Sequence, residues 1–416
     1  MFTRHAKRGL ALRTFAGWLL CACSDAPAAP ISAASTTQSS GGSAVSATST
    51  AGSSAGAPSA TSSSALADPI VQTGTDWQWV AFPESTCRDG SRSGLAINFH
   101  ASSKRVVLYL EGGGSCYDVA TCAANPTSIA GQLPSNAGLF DRSNPENPVA
   151  DWSFVYVPYC SGDVHIGTAR DSTIPGVAGL QQFMGRDNLR QFLARLVPTF
   201  RDAEQVLLTG ASAGGIGALM NYELVQAAFA DAPVTVIDDS GPVMSTRFVP
   251  GCVNQLRRGY WGLDHTILTA CGADCDPSGG NFMVDYARHE LRSAAAPQRM
   301  HGLIESAADE VIRSYYGIAT NNGKNDCQGT LGLTPMDPQT FELGLLDTRE
   351  QLQDAAPSFG TFYPAGTAHT FIMSPSFYSQ TAGAGVRMVD WVRDIVTGRQ
   401  AAQVGPGAGA GSGTSM

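Results

Sequence analysis

The stretch Val206-Leu-Leu-Thr-Gly210-Ala-Ser212-Ala-Gly214-Gly215-Ile-Gly217 joins a short apolar run to a Gly-x-Ser-x-Gly motif. The run Val206–Leu208 is typical of a buried strand, and a helical pattern from Ala218 to Phe229 follows directly. This order predicts a nucleophile elbow, a sharp strand-to-helix turn that presents a serine hydroxyl above a sheet. Ser212 is therefore the candidate nucleophile. The alternative is a plain turn of small residues before a helix.

The elements around this stretch predict the fold. Helical patterns cover Leu180–Leu196, Phe282–Leu291, Gln339–Leu352 and Val386–Val396. Strand patterns cover Leu95–Phe99 and Arg105–Leu110, which we expect to form a hairpin, and then Phe154–Val157, Val206–Leu208, Val234–Ile237, Leu303–Ile304 and Phe359–Tyr363. Such alternation predicts an α/β, α/β-hydrolase-like fold, a mostly parallel central sheet covered by helices on both faces, with ligands at the carboxyl ends of the strands.

Composition narrows the class of protein. The chain has 416 residues, of which 43% are hydrophobic and 15% are charged, enough to bury a large core. Its formal net charge of −9 and its sequence pI near 5.2 argue against a nucleic-acid partner. No metal or organic cofactor is expected, and we expect a monomer.

The chain termini differ in composition from the rest. Residues 1–23 carry a basic start and a short apolar stretch, which predicts a signal peptide. Its end resembles a bacterial lipobox in which Cys23 would be lipidated; ordinary signal cleavage is the alternative. Residues 24–67 and 400–416 are rich in small and polar residues, which predicts a disordered tether and a disordered tail. Residues 68–399 form the predicted catalytic domain, although its length also allows two domains.

The number of cysteines is consistent with an exported protein. An even number follows Cys23, and behind an export signal this predicts disulfides. These cysteines are Cys87, Cys116, Cys122, Cys160, Cys252, Cys271, Cys275 and Cys327. A metal site made of Cys271, Cys275 and His265 is the alternative for part of the set. The sequence does not determine the pairing of the last four cysteines.

A glycine run supplies the candidate oxyanion hole. The strand Val106–Leu110 leads into Gly112, Gly113 and Gly114. In α/β-hydrolases a loop at this place contributes one backbone N–H, and the residue after the nucleophile, here Ala213, contributes another. A plain glycine-rich turn is the alternative.

The order Ser, acid, His expected for this fold points to the remaining catalytic residues. Asp309 follows the second strand after the nucleophile, the usual place of the acid, and Asp239 at the end of the first is the runner-up. His369 is the only one of the seven histidines that follows both. If Asp239 were the acid, three further histidines would be in order, namely His265, His289 and His301.

At this point several motifs together resemble the pectin acetylesterase family of serine carboxylesterases. Tyr159-Cys-Ser-Gly-Asp163 is the most specific of them, because a generic hydrolase does not need it. The matching pieces are Leu110–Gly114 with Cys116, Val157–Val164, Phe183–Gly185, Gly210–Gly215, Asp239–Gly241, Ser306–Asp309 and His369, spread over roughly Cys87 to Ser374.

The resemblance implies a Ser212, Asp309 and His369 triad and the disulfides Cys116–Cys122 and Cys87–Cys160. The chain departs from the family at the position after the glycine run, after the acid and before the histidine. The departing residues are Ser115, then Glu310, Val311 and Ile312, and then Gly366, Thr367 and Ala368.

These observations lead to one expectation about function. We expect an exported serine carboxylesterase that removes acyl groups, in the first place acetyl, from an O-acylated small molecule or polysaccharide. It would reside in the outer membrane or periplasm as a lipoprotein with a peripheral anchor, or be secreted. The alternatives are an esterase for lipid-type acyl or polyester substrates, and a catalytically silent binding protein on a hydrolase fold.

Overall fold

The structure, a computed structural model, describes residues 68–129, 133–293, 299–320, 327, 334–399 and 401–407. The expected signal peptide, the lipobox cysteine Cys23, the tether and residues 408–416 lie outside the described residues. All described residues fall within one unit of the chain, Ser64–Met416.

The strands of the described residues form one large sheet and two small ribbons. The ribbons are β5 with β6 and β11 with β12. The strands are β1 Gln78–Phe82, β2 Ser93–Asn98, β3 Arg105–Leu110, β4 Ser153–Val157, β5 Ala169–Ser172, β6 Gln181–Phe183, β7 Gln205–Ala211, β8 Val234–Asp239, β9 His301–Ile304, β10 Phe359–Phe362, β11 Thr381–Ala382, β12 Val386–Arg387 and β13 Gln403–Val404.

The large sheet has the order β1-β2-β4-β3-β7-β8-β9-β10-β13. Every pair from β4 to β13 is parallel, whereas β2 runs antiparallel to both β1 and β4. The sheet is therefore mostly parallel, and the prediction of an α/β-hydrolase-like fold is confirmed. The carboxyl ends of β3, β7, β8, β9 and β10 meet at one edge, where the candidate site residues were expected.

The predicted hairpin is wrong. β2 and β3 lie in one sheet, but β4 is inserted between them and pairs with both. The connection through residues 99–104 is long enough to pass over one strand, because neighbouring strands are only about 4.8 Å apart. A short connection indicates strands that are close in space, and it does not show that they pair.

Helices cover both faces of the sheet. The helices of the described residues are α1 Val119–Ala123, α2 Gly185–Thr199, α3 Ala213–Met220, α4 Tyr222–Ala228, α5 Gly251–Trp261, α6 Ile267–Cys271, α7 Phe282–Ser293, α8 Glu310–Thr320, α9 Pro338–Ala355 and α10 Met388–Val396. The helix expected at Ala218–Phe229 begins earlier, at Ala213, and is divided at Asn221. The segment Leu180–Leu196, expected to be helical throughout, starts instead with β6.

Alternation along the strands divides the core into two layers. In β3, Val106, Leu108 and Leu110 face one layer, which also contains residues of α2, α3, α7 and α9. Val107 and Tyr109 face the other layer, which contains α10. Because successive side chains of a strand point to opposite faces, a fully apolar strand such as Val106–Leu110 must be buried on both.

Two features at the sheet edge and in the helices complete the fold. β13 pairs with β10, so the sheet continues beyond residue 399, where the predicted tail begins. In the described part of the chain, none of the helices combines the length and apolar character needed to cross a bilayer.

Candidate active site

The serine of the Gly-x-Ser-x-Gly motif lies at the junction of β7 and α3. Ser212 has φ 57° and ψ −120°, a conformation that is uncommon for a residue with a side chain. Its N–H donates to the carbonyl of Asp239 at 2.6 Å, which ties the turn to the end of β8. Gly214 is required here because a Cβ would collide with the carbonyl of Leu110 in the neighbouring strand. The predicted strand–turn–helix geometry of the elbow is therefore present.

The glycine run after β3 lies against this turn. A Cβ on Gly112 would contact the Cβ of Ser212 at 3.0 Å, so the two segments are adjacent. The carbonyl of Gly113 accepts from Asn125 at 2.6 Å, and that of Gly114 accepts from the Tyr159 hydroxyl at 2.9 Å. Both carbonyls are thus fixed from outside the loop. Ala213 is the first residue of α3, where backbone N–H groups have no intrahelical acceptor.

Asp309 and His369 meet in one hydrogen bond. His369 Nδ1 lies 2.7 Å from Asp309 Oδ2, with Asp309 fully buried and the histidine side chain 18% exposed. The other carboxylate oxygen of Asp309 accepts the N–H groups of Val311 and Ile312, both at 2.8 Å. Asp309 therefore also caps the N-terminus of α8, and the cap fixes its orientation toward the histidine.

Asp239, the runner-up acid, has a different place. Its Oδ2 accepts the N–H groups of Phe371 and Ile372, both at 2.8 Å, and its Oδ1 accepts the Ser240 hydroxyl at 3.0 Å. Burial raises the pKa of Asp239 to about 6, while these hydrogen bonds act in the opposite direction. Since its backbone carbonyl holds Ser212, Asp239 joins the elbow to the loop that carries His369.

The other histidines in question lie elsewhere. His289 contacts Asp274 at 3.0 Å, and His301 is buried in β9, where its Nδ1 accepts the N–H of Val236 at 3.0 Å. Cys271 forms a disulfide with Cys275, which overturns the alternative of a metal site with His265. Among the described residues, no cluster of possible metal ligands is found.

The remaining cysteines are paired as well. Cys87–Cys160 and Cys116–Cys122 are the pairs that the resemblance implied, and Cys252–Cys327 is a pair that the sequence left open. Arg88 lies between the first two disulfides and donates to Cys116 Sγ at 2.8 Å. These bonds stabilise the segment that follows the glycine run.

A narrow pocket opens beside Ser212, with a cavity volume of about 30 Å³. Its walls are Gly114, Ser115, Val164, Ser212, Ala213, Ile216, Arg257, Ile312, Tyr315 and Tyr316. Arg257 donates to the hydroxyl of Ser115 at 3.3 Å, so these two walls of the pocket are in contact. The Tyr315 hydroxyl lies where a Cβ on Gly114 would be, so only glycine fits there.

Sequence reasoning missed the buried groups behind these residues. Glu111 follows β3, accepts the N–H of Tyr159 at 2.8 Å, and has its pKa raised by burial. Glu305 follows β9 and is fully buried beside Asp309. Arg257 and Tyr315 come from α5 and α8, and no motif marks either one. The only available signal for the two glutamates was their position at a strand end, which loop residues share.

Part of the chain is similar in sequence to known esterases. The sequence model of the family described as Pectinacetylesterase matches residues 78–261. The palmitoleoyl-protein carboxylesterase NOTUM of Drosophila melanogaster is 30% identical over 205 residues, which cover 44% of this chain and 30% of that protein. Notum2 of Xenopus laevis, another palmitoleoyl-protein carboxylesterase, is 35% identical over 153 residues, which cover 34% of this chain and 30% of that protein. Pectin acetylesterase 5 of Arabidopsis thaliana is 26% identical over 223 residues, which cover 49% of this chain and 51% of that protein.

The extent of these matches matters for the site. The chain spans only about a third to a half of the length of these relatives. Ser212 and the glycine run lie inside residues 78–261, whereas Asp309 and His369 lie outside them. The resemblance predicted from the motifs is confirmed, and this chain is similar, through residues 78–261, to the Pectinacetylesterase family of esterases.

Proposed function

We propose that the protein is an exported serine carboxylesterase that removes short acyl groups, foremost acetyl, from an O-acylated substrate such as a polysaccharide. The observation that carries this proposal is the 2.7 Å contact between His369 and buried Asp309. Asp239 ties the His369 loop to the strained turn that presents Ser212. The similarity to esterases supports the reaction class.

In this proposal His369 acts as the general base. Its Nδ1–H donates to Asp309, which leaves Nε2 to take the proton of the Ser212 hydroxyl as Oγ attacks the ester carbonyl. The N–H of Ala213 and the N–H groups of the Gly112–Gly114 loop stabilise the oxyanion. The imidazolium then protonates the departing alcohol. Water, deprotonated by the same histidine, attacks the acyl-enzyme and releases the carboxylic acid with Ser212 restored.

The pocket beside Ser212 supports a short acyl group. Tyr315, Tyr316 and Arg257 close the space that a long chain would need, and a guanidinium is an unfavourable wall for a hydrocarbon. The relatives named palmitoleoyl-protein carboxylesterases favour the second candidate, an esterase for lipid-type acyl groups. The two candidates therefore differ in the acyl chain length that they predict.

Export and anchoring are part of the proposal. Four disulfides in the described residues are typical of a protein that folds in an oxidising compartment. If Cys23 carries a lipid, Cys23→Ser will move the protein from the membrane fraction to the soluble fraction without a change in specific activity. Unchanged membrane association would contradict the anchor.

The test is hydrolysis of p-nitrophenyl esters from acetate to palmitate, followed by acetylated xylan and acetylated pectin at equal acetyl concentration. We expect kcat/KM to be highest for acetate and to fall steeply with chain length. We also expect the neutral xylan to be preferred to the polyanion pectin, because the net charge of −9 gives no general attraction for it. The matched control is Ser212→Ala, which removes only the nucleophile.

Each outcome decides one part of the proposal. A maximum at long chains would favour the lipid-type candidate. Higher kcat/KM on pectin would make pectin the substrate and reject the expected preference for a neutral polymer. Equal rates for wild type and Ser212→Ala would reject the serine mechanism. Binding of an acylated glycan without turnover would favour the silent binding protein.

A further inference from the structure

Glu305 is a buried carboxyl group without a role in the reaction described so far. It directly follows β9, its N–H donates to the carbonyl of Phe362 at 3.0 Å, and its side chain is fully buried. Its carboxyl group lies within hydrogen-bonding contact of the Asp309 carboxyl group. No N–H or O–H group of the described residues donates to either Glu305 oxygen.

This pair of carboxyl groups must share a proton. Two ionised carboxylates have only acceptor oxygens and cannot hydrogen bond to each other. The oxygens of Asp309 accept two backbone N–H groups and contact His369, so Asp309 already acts as a hydrogen-bond acceptor on both oxygens. Glu305 has no such donors. The proton therefore belongs on Glu305, which then donates to Asp309.

The surroundings of Glu305 act in the same direction. The groups that face it are Asp309 from its own loop, Asp238 and Asp239 from the end of β8, Tyr316 from α8 and Tyr363 after β10. The acidic members repel a further negative charge. Burial first, and then the neighbouring carboxylates, raise the pKa of Glu305 well above its ordinary value.

We propose that Glu305 is a positioning residue that remains protonated and donates a hydrogen bond to Asp309, restraining this carboxylate and limiting the negative charge that it presents to His369. The proposal deepens the proposed function and rests on it, because it assumes that Asp309 and His369 act together. Its consequence concerns the base. A carboxylate that shares its charge with a donor stabilises the imidazolium less, so loss of the Glu305 donor should favour the protonated form of His369.

The test compares Glu305→Gln, which keeps a donor, with Glu305→Met, which has similar length and no donor. The titration midpoint of the His369 ring is measured by NMR, and the acidic limb of kcat/KM is measured with p-nitrophenyl acetate. For Glu305→Met we expect the titration midpoint and the acidic limb to move upward by about one pH unit. One unit corresponds to a tenfold change in the ratio of protonated to neutral His369. Glu305→Gln should restore both toward the wild-type position.

A second buried glutamate provides the control. Glu290 in α7 is fully buried and accepts the N–H of Glu223 at 2.6 Å, and burial raises its pKa to about 8. Glu290→Gln should leave the titration of His369 unchanged. Thermal unfolding between pH 5 and pH 9 adds a measurement without substrate. Because folded Glu305 keeps a proton that the unfolded chain releases, the wild type should lose stability as the pH rises. Glu305→Gln has no proton to release at this position and should lose less stability.

Three results would overturn the proposal. One is an unchanged His369 titration in Glu305→Met, and another is the same upward shift in Glu305→Gln. The third is equal pH dependence of unfolding for wild type and Glu305→Gln, which would mean that Glu305 is ionised. The NMR and unfolding measurements need no substrate, so an inactive protein would reject the proposed function while leaving this proposal testable.

Discussion

Two regions of the proposed site are held in place by different kinds of interaction. The nucleophile region comprises β3 and β7 with their loops Glu111–Cys116 and Gly210–Gly214. Here neighbouring backbones are in contact, and the short-range disulfide Cys116–Cys122 closes the segment. The acid–base region comprises the loops 305–309 and 363–372 after β9 and β10. Here side-chain hydrogen bonds over long sequence distances position the residues.

The difference explains how far each region can be recognised from sequence. A backbone contact requires glycine at fixed positions, so it leaves a motif. A hydrogen bond between residues more than a hundred positions apart leaves no local spacing in the sequence by which it could be recognised. The family match follows this division, since it includes the nucleophile region and ends before the acid–base region. Four predictions test the division, starting with the largest expected effect.

The first prediction separates the two aspartates of the site. Asp309→Asn should lower kcat by about 10⁴-fold, because an amide favours the wrong histidine tautomer. Asp239→Asn should lower kcat less, by about 10- to 100-fold, because it weakens the hydrogen bonds to Phe371 and Ile372 but leaves the His369 partner in place. Steady-state kinetics and thermal unfolding of both variants give the comparison. A greater loss in Asp239→Asn would make Asp239 the acid.

The second prediction compares two disulfides of the nucleophile side. In the chain-entropy account, removing Cys87–Cys160, with a sequence separation of 73, costs about 4 kcal/mol of unfolding free energy. Removing Cys116–Cys122, with a separation of 6, costs about 2 kcal/mol. Activity should follow the opposite order, because only the second disulfide closes the loop beside Gly112–Gly114. Denaturant unfolding and kinetics of the paired Cys→Ser variants measure both. The same order in stability and activity would contradict the local role.

Sequence reasoning predicted a mostly parallel sheet and the elbow, because each depends on local apolar runs and the turns that follow them. It did not predict the insertion of β4 between β2 and β3, because pairing depends on partners distant in the chain. It ranked Asp239 below Asp309 by strand order, but it did not predict that Asp239 accepts the N–H groups of Phe371 and Ile372. Glu305 and Tyr315 became visible only when the structure placed them against Asp309 and Gly114.

The third prediction concerns acid stability, with one buried histidine on each side. Burial lowers the pKa of His165 to about 4 and that of His301 to about 3. The unfolded chain binds these protons near pH 6.5, so the stabilisation is complete above that pH and is lost as pH falls toward the folded values. By pH 5 each buried histidine has lowered the free energy of unfolding of the wild type by about 2 kcal/mol.

Matched variants isolate each contribution. His165→Gln keeps a donor for the carbonyl of Glu111, and His301→Asn keeps an acceptor for the N–H of Val236. The free energy of unfolding is measured in urea at pH 5 and at pH 7.5. Between these two pH values, the decrease in each variant should be about 2 kcal/mol smaller than the decrease in the wild type. A loss equal to that of the wild type would mean that the replaced histidine is protonated in the folded protein.

The fourth prediction concerns the point where the two regions meet. Tyr315 of α8 reaches the glycine loop, where its hydroxyl lies against Gly114. Tyr315→Ala should enlarge the pocket beside Ser212 and raise the kcat/KM ratio of octanoate to acetate esters by about tenfold. A tenfold change corresponds to about 1.4 kcal/mol, which is within the roughly 1–3 kcal/mol that one additional methylene contributes in an apolar pocket. Tyr315→Phe, which keeps the ring, should leave the ratio unchanged. If both variants gave the wild-type ratio, Tyr315 would not limit chain length, and the acyl group would have to bind on another side of Ser212. If both raised it, the hydroxyl rather than the ring would close the pocket.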